Sequence, residues 1–104
     1  MLTFIQALEL AITWCRVTTQ KDCVILTKHT QKLPYGWVFF YDTRAYVVSG
    51  KSKDMLIGGV PILVDRVNGE IRVLGTAKPL RSYLASYEAE LPVERLQLSL
   101  PEEP

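Results

Sequence analysis

Apolar side chains recur every three or four residues between positions 2 and 18. The central line of this pattern consists of Ile5, Leu8, Ile12 and Cys15. The spacing matches the 3.6-residue turn of an α-helix, so an amphipathic helix with a broad buried face is predicted. Thr3 is suited to cap it, because a threonine oxygen accepts hydrogen bonds from the free backbone N–H groups of a first turn.

Short apolar runs separated by turn-forming residues predict four strands further along the chain. The strands are expected at 23–30, 37–41, 62–64 and 71–74. The run from Trp37 to Tyr41 is apolar or aromatic throughout, which is typical of a central strand covered on both faces. Pro61 cannot donate to a strand ladder, so we expect it to open the third strand.

The connections between these strands carry recognisable turn chemistry. Residues 33–36, Leu-Pro-Tyr-Gly, predict a turn. Residues 65–70 predict a hairpin loop, with Asn68 and Gly69 in left-handed positions and the Asp65 carboxylate accepting backbone N–H groups of the turn. Residues 43–50 fit either a short helical turn or the end of a strand, and a polar loop follows them.

Helical spacing returns after Pro79, which suits the first turn of a helix. The apolar positions of this helix are Leu80, Tyr83, Leu84 and Tyr87. Residues 1–91 are therefore expected to form one domain, and 92–104 either an exposed tail or an edge strand at 95–100. The order of elements predicts an α+β fold, with a four-stranded, mainly antiparallel sheet packed by an N-terminal and a C-terminal helix.

Composition narrows the class of protein. The 104 residues carry a formal net charge of +1, with 48% apolar and 22% charged residues, which fits one globular domain. No basic face for nucleic acid is evident, and no apolar run approaches the roughly 18 residues of a membrane span. The first ten residues lack the basic start of a signal peptide, so we expect a cytoplasmic protein without nucleic-acid or membrane partners.

Residues able to do chemistry are few. His29 is the single histidine, and Cys23 lies about 20 Å from it on the predicted strand. The sequence leaves open whether the fold brings Cys15 close to it. An oxygen-ligand site is conceivable, but its carboxylates have no recognised metal-binding spacing. Those carboxylates are Asp42, Asp54, Asp65 and Glu70. We therefore expect no catalytic residue, metal or cofactor.

Aromatic residues are concentrated between positions 35 and 46. The group consists of Tyr35, Trp37, Phe39, Phe40, Tyr41 and Tyr46. Aromatic side chains dominate small cores, so complete burial is one interpretation. Neighbouring residues of a strand point to opposite faces, however, and a face without a covering helix would expose an aromatic patch suited to a partner.

The segment Tyr-Gly-Trp-Val-Phe-Phe-Tyr at 35–41 resembles the YrhB-like immunity protein 35 family of bacterial proteins. The resemblance continues through Gly-Val-Pro-Ile-Leu-Val-Asp at 59–65 and reaches the helix ending near Glu88, so that it covers roughly 23–88. The matching positions with a structural role are Tyr35, Gly36, Trp37, Gly59, Pro61, Asp65, Gly69 and Gly75. The family implies an α+β protein that protects its cell by binding a cognate toxin. Such toxins are often thought to be papain-like peptidases.

Three classes of function remain open on the sequence. A toxin inhibitor would bind through loops, and the candidate surface is 41–54. Its expected anchors are Tyr41, Arg44, Tyr46, Lys51 and Asp54. A chaperone-like stress protein would instead bind unfolded clients through an apolar patch, and an enzyme is the third class. A homodimer formed through 95–100 is compatible with each of them.

Overall fold

The computed structural model describes residues 1–101 of the chain. Its helices are α1 (Phe4–Thr19), α2 (Arg44–Ser49), α3 (Leu80–Glu88) and α4 (Val93–Leu96). Its strands are β1 (Cys23–Ile25), β2 (Gln31–Leu33), β3 (Gly36–Phe39), β4 (Tyr41–Thr43), β5 (Ile62–Asp65) and β6 (Ile71–Val73). Single turns of 3₁₀-helix lie at Thr27–His29 and Ser52–Asp54.

Four strands form the main sheet, in the order β2-β3-β5-β6, and each neighbouring pair is antiparallel. Strand β3 lies inside this sheet and all four of its residues are buried, which confirms a central strand. The predicted extent of 37–41 is wrong at its end, because Tyr41 begins β4 in the second sheet. Strand β5 begins directly after Pro61, as its sequence predicted. The α+β class, the four-stranded sheet and its two flanking helices are thereby confirmed.

Each face of the main sheet is covered by helix. Alternation along a strand sends Trp37 and Phe39 toward α1, where they pack with small residues of that helix. Val38 and Leu63 point the opposite way and pack against α3. Five of the six aromatic residues of 35–46 are thus divided between two cores, and Tyr46 belongs to neither. Tyr35, Trp37 and Phe39 are fully buried and the other three are half-buried.

Helix α1 begins with the predicted cap. The Thr3 hydroxyl accepts from the Gln6 backbone N–H at 3.2 Å, and the Gln6 side chain accepts from the Thr3 N–H at 2.9 Å. The buried line of the helix differs from the predicted one, since Ile5 is 48% exposed. The buried residues are Ala7, Ala11 and Cys15. Small side chains are needed there because the large rings of Trp37 and Phe39 fill the opposing sheet face.

The strand predicted at 23–30 is wrong in its extent. Only 23–25 are extended as β1, after which the chain makes the 3₁₀ turn and enters the main sheet as β2. Strand β1 pairs with β4 in a separate two-stranded sheet, in which Cys23 lies opposite Thr43. The ambiguous segment after β4 is helix α2, capped by the Thr43 hydroxyl, which accepts from the Tyr46 N–H at 3.1 Å.

The hairpin between β5 and β6 confirms one predicted detail and corrects another. The Asp65 carboxylate accepts from the Val67 N–H at 2.8 Å, as expected. Gly69 adopts φ +76°, but Asn68 is not left-handed. The loop is longer than a two-residue turn, so a single left-handed residue closes it, and the Asn68 side chain instead accepts from the Glu70 N–H at 2.9 Å.

The C-terminal residues form no strand at 95–100. They contain α4 and pack back on the sheet: the Arg66 guanidinium donates to the Ser99 carbonyl at 2.7 Å. Leu91 and Leu96 contact the core on the α3 side. Residues 102–104, the end of the segment expected as a tail, lie outside the described residues.

A candidate protein-binding surface

Residues 41–60, here called the connecting segment, leave the main sheet after β3 and return to it before β5. Polar contacts fold this segment on itself. The Thr43 hydroxyl donates to the Asp54 carbonyl at 2.5 Å, and the Asp42 carboxylate accepts from the Leu56 N–H at 2.8 Å. Helix α2 has no buried residue. The segment therefore presents most of its side chains to solvent while its backbone is held.

A broad open groove of about 770 Å³ runs between α2 and the end of α1, and we call it the α2 groove. Its walls include Lys21, Asp22, Arg44, Val48, Lys53 and Met55. The pairing of β1 with β4 creates the groove, because it places residues 21 and 22 beside the start of α2. The Arg44 N–H also donates to the Asp22 carbonyl at 2.8 Å, which fixes the two walls to each other.

The charges of the α2 groove are unevenly satisfied. Asp22 accepts from the Arg44 guanidinium at 2.9 Å, and Asp54 accepts from the Ser49 hydroxyl at 2.6 Å. The side chains of Lys21 and Lys53 have no ion pair or hydrogen bond with any residue of the described range 1–101. Among the described residues, the groove thus has two ammonium groups without an ion pair, Lys21 and Lys53, against one carboxylate, Asp54, whose side-chain partner is a neutral hydroxyl.

A second groove, of about 450 Å³, lies on the other side of Lys21, and we call it the Trp14 groove. Trp14 meets Tyr41 edge to face in it, with ring centroids 6.2 Å apart. Desolvation raises the pKa of the Tyr41 phenol, and its oxygen accepts from the Val60 N–H at 3.4 Å. Ile57 borders this groove and is 96% exposed.

The structure brings together some of the five predicted anchor residues. Arg44 and Asp54 line the α2 groove, and Tyr41 lines the Trp14 groove. Tyr46 is half-buried and lines neither, while Lys51 is exposed on the neighbouring turn. All five lie on the connecting segment, but they belong to different parts of its surface.

Sequence reasoning missed the contribution of residues outside the connecting segment. Lys21 and Asp22 follow α1, and Trp14 lies within it. They join the surface through the β1–β4 pairing. The signal was weak: two three-residue runs, 23–25 and 41–43, are too short to display a strand period.

The residues predicted to have structural roles lie in or beside the main sheet. Trp37 is buried, with its ring 5.9 Å from that of Phe4. The carbonyl of Pro61 accepts from the Leu74 N–H at 3.0 Å. Gly75 lies against the Tyr83 ring, and Gly59 borders the Trp14 groove beside the Leu56 side chain.

Asp65 accepts hydrogen bonds from residues well outside its own turn, in addition to the one predicted within it. It is fully buried, and beyond the Val67 N–H it accepts from the Tyr87 hydroxyl and the Arg95 guanidinium, each at 2.6 Å. Burial and then the hydrogen bond to Asp65 raise the pKa of Tyr87. Three donors satisfy this carboxylate, so the cluster attaches α3 and α4 to the sheet.

The remaining reactive groups do not form a site. Burial raises the pKa of Cys15 from its ordinary 9.0 to about 12, so this thiol is protonated at neutral pH. Cys23 is also buried, whereas His29 is exposed on its 3₁₀ turn. Within residues 1–101 no three His, Cys, Asp or Glu side chains converge as metal ligands would. Across the same range, no helix combines the length and apolarity that crossing a membrane requires.

Comparison with known proteins shows which family the chain belongs to. The chain belongs to the immunity protein 35 family, whose model matches residues 6–89. It is also similar to the uncharacterized protein YrhB of Escherichia coli strain K12, with 40% identity over 65 residues, 62% of this chain and 68% of that relative. No solved structure matches. The resemblance inferred over roughly 23–88 is thereby confirmed, and membership of an immunity family suggests a non-catalytic role.

Proposed function

We propose that this chain is an immunity protein, which binds a cognate bacterial toxin in the cytoplasm and neutralises it without catalysing a reaction. The match of residues 6–89 to the immunity protein 35 family carries the proposal. The family resemblance favours a papain-like peptidase as the toxin. Such an enzyme is inhibited when a bound protein keeps substrates out of its active-site cleft.

The connecting segment is the proposed contact surface. Its base is rigid, because the strands on either side of it, β3 and β5, are entirely buried. Its exposed aliphatic side chains are not needed by the two cores: Val48 is 81% exposed and Ile57 is 96% exposed. Exposed aliphatic groups beside charged ones are common in protein interfaces, where they desolvate on binding.

Inhibition of this kind is stoichiometric and depends on affinity alone. The inhibitor must remain bound while the toxin folds and accumulates, which calls for a dissociation constant in the nanomolar range, about −12 kcal/mol. A prepositioned surface helps, since little conformational entropy is lost when it binds. The polar bonds within 41–60 supply that preorganisation.

The test uses the polypeptide encoded by the neighbouring gene. Its toxicity is measured in cells with and without this chain, and the purified complex is titrated using a toxin variant inactivated at its nucleophile. We expect one-to-one binding at nanomolar Kd and restored growth. Unaltered toxicity together with no measurable complex would refute the immunity function.

A chaperone-like function is the second candidate, and the exposed Val17, Val48 and Ile57 side chains favour it. It predicts micromolar, unselective binding to unfolded proteins. Light scattering of a heat-denatured reporter enzyme, with and without equimolar chain, separates the two functions. Suppressed aggregation without toxin binding would favour the chaperone, whereas nanomolar binding to one folded toxin favours the inhibitor.

A further inference from the structure

We propose that the α2 groove receives an acidic segment of the protein partner, in which carboxylate side chains flank an aliphatic one. This inference rests on the proposed inhibitor function and specifies the chemistry of its partner. The charge balance of the groove and its exposed aliphatic residues support it.

Two of the three cationic groups of the groove are available, whereas both of its carboxylates already accept a side-chain hydrogen bond. Arg44, Lys21 and Lys53 line it against two acids. Asp22 is paired with Arg44 at 2.9 Å, and Asp54 accepts the Ser49 hydroxyl at 2.6 Å. Since the two lysines have no ionic partner within residues 1–101, an incoming carboxylate completes a pair at either one.

Exposed apolar side chains in the groove wall favour an aliphatic group in the ligand. Val48 is 81% exposed and Met55 is 42% exposed, and both line the groove between the charged residues. Methionine adapts to differently shaped apolar groups. A Leu, Ile or Val side chain of the partner would be desolvated there while its acidic neighbours reach Lys21 and Lys53.

A nucleic-acid backbone fits the same groove less well. Phosphates recur in a closely spaced row and need a continuous cationic track. Here the cations are interrupted by Asp22 and Asp54, and the whole chain has a formal net charge of only +1. Spaced carboxylates on a polypeptide match this pattern better.

The first experiment compares two charge reversals in the full chain, with the neighbouring gene's product as the partner. Lys21→Glu with Lys53→Glu alters the groove. Lys28→Glu with Lys78→Glu changes the same charge at exposed lysines outside it. We expect the groove pair to weaken binding about 100-fold and the control pair less than about threefold, because interface ion pairs act locally.

The outcomes of this comparison are decisive. Equal losses for both pairs, or no loss for the groove pair, would overturn the inference while leaving the inhibitor function intact. Circular dichroism melting of both variants shows that each is folded. These lysines are exposed, so we expect both variants to melt as the unaltered chain does.

The second experiment needs no toxin and separates the inference from the proposed function. An acetylated, amidated peptide of sequence Glu-Leu-Glu-Asp-Leu-Glu is titrated into the labelled chain and followed by NMR. We expect chemical-shift changes at Lys21, Ala45, Val48 and Met55, and none with the Lys-for-acid peptide. If no toxin binds any variant, the inhibitor function fails, and the peptide titration alone then tests the inference about the groove. Chemical-shift changes at the groove residues would support the inference, and their absence would overturn it.

Discussion

The β3–β5 pair and the connecting segment between its strands differ in what holds them in place. Every residue of β3 and β5 is buried, and their side chains fill two cores on opposite faces of the sheet. The connecting segment buries few side chains and is held by side-chain oxygens of Asp42, Thr43 and Asp54. Stability therefore depends on the first region and surface chemistry on the second, so side chains of the proposed binding surface can be changed without loss of the fold.

The largest contrast is expected between two glycines. A methyl group on Gly36 would lie 2.1 Å from the Val64 carbonyl oxygen, so Gly36→Ala must separate β3 from β5. We expect a loss of at least about 3 kcal/mol in the free energy of unfolding, or an insoluble protein. Urea denaturation followed by tryptophan fluorescence measures it.

Gly50→Ala is the matched control in the connecting segment. Gly50 adopts φ +69°, but nothing lies within 4 Å of an added methyl group. Its cost is therefore the left-handed backbone alone, about 1 kcal/mol. If both variants lost the same stability, the proposed division between the two regions would be wrong.

The next effect concerns the buried carboxylate at the end of β5. Asp65→Ala leaves the Tyr87 hydroxyl and the Arg95 guanidinium without their acceptor, so we expect a loss of about 3 kcal/mol. Arg95→Met removes only the cation. A double-mutant cycle on chemical denaturation is expected to give a coupling of about 1–3 kcal/mol, and a coupling near zero would show that α4 does not depend on Asp65.

A pH-dependent effect is expected from Cys15. Its pKa is raised in the folded chain from 9.0 to about 12, because burial disfavours the thiolate. Its contribution to stability is complete below about pH 9 and declines as pH rises toward 12, since only the unfolded chain ionises there. The expected slope is up to about 1.4 kcal/mol per pH unit.

Cys15→Ala isolates this contribution. Its free energy of unfolding should fall less steeply between pH 9 and pH 11 than that of the unaltered chain, because the thiol is absent. Both curves should still fall, because burial raises the pKa of Tyr35 and of Tyr87 in both proteins. Parallel curves would contradict the assigned burial of the thiol. Denaturation in urea at four pH values supplies the comparison.

The smallest effect on stability is expected at the exposed aliphatic side chains of the connecting segment, where toxin binding should nevertheless weaken. Val48→Ser and Ile57→Ser change highly exposed side chains, so the free energy of unfolding should change by less than about 0.5 kcal/mol. Toxin affinity is expected to fall at least about tenfold. Val93→Ser, at a 62% exposed position on α4, is the control and should change neither quantity.

Patterns within short stretches of sequence predicted the helices and strands whose formation depends mainly on neighbouring residues. The helical period and Thr3 predicted α1, and the unbroken apolar run with Pro61 predicted β3 and β5. Contacts between distant residues could not be obtained in this way. The three-residue strands β1 and β4 show no period, and the ion pair of Arg95 with Asp65 joins residues 30 positions apart.

The candidate surface shows the same limit. Arg44 and Asp54 were predicted because polar residues between predicted strands are expected on loops. Lys21 and Asp22 were missed because only the β1–β4 pairing places them beside α2. The charge and type of each side chain could be read from the sequence. Which side chains lie next to each other in the groove could be learned only from the fold.

Hydrogen–deuterium exchange of the chain, free and bound to the neighbouring gene's product, tests the central claim most directly. The account predicts that binding slows amide exchange in 41–60 and in 18–22, while the sheet strands and α3 are unchanged. Protection centred on β2, β6 or α3, with 41–60 exchanging as in the free chain, would contradict the assignment of the connecting segment as the binding surface.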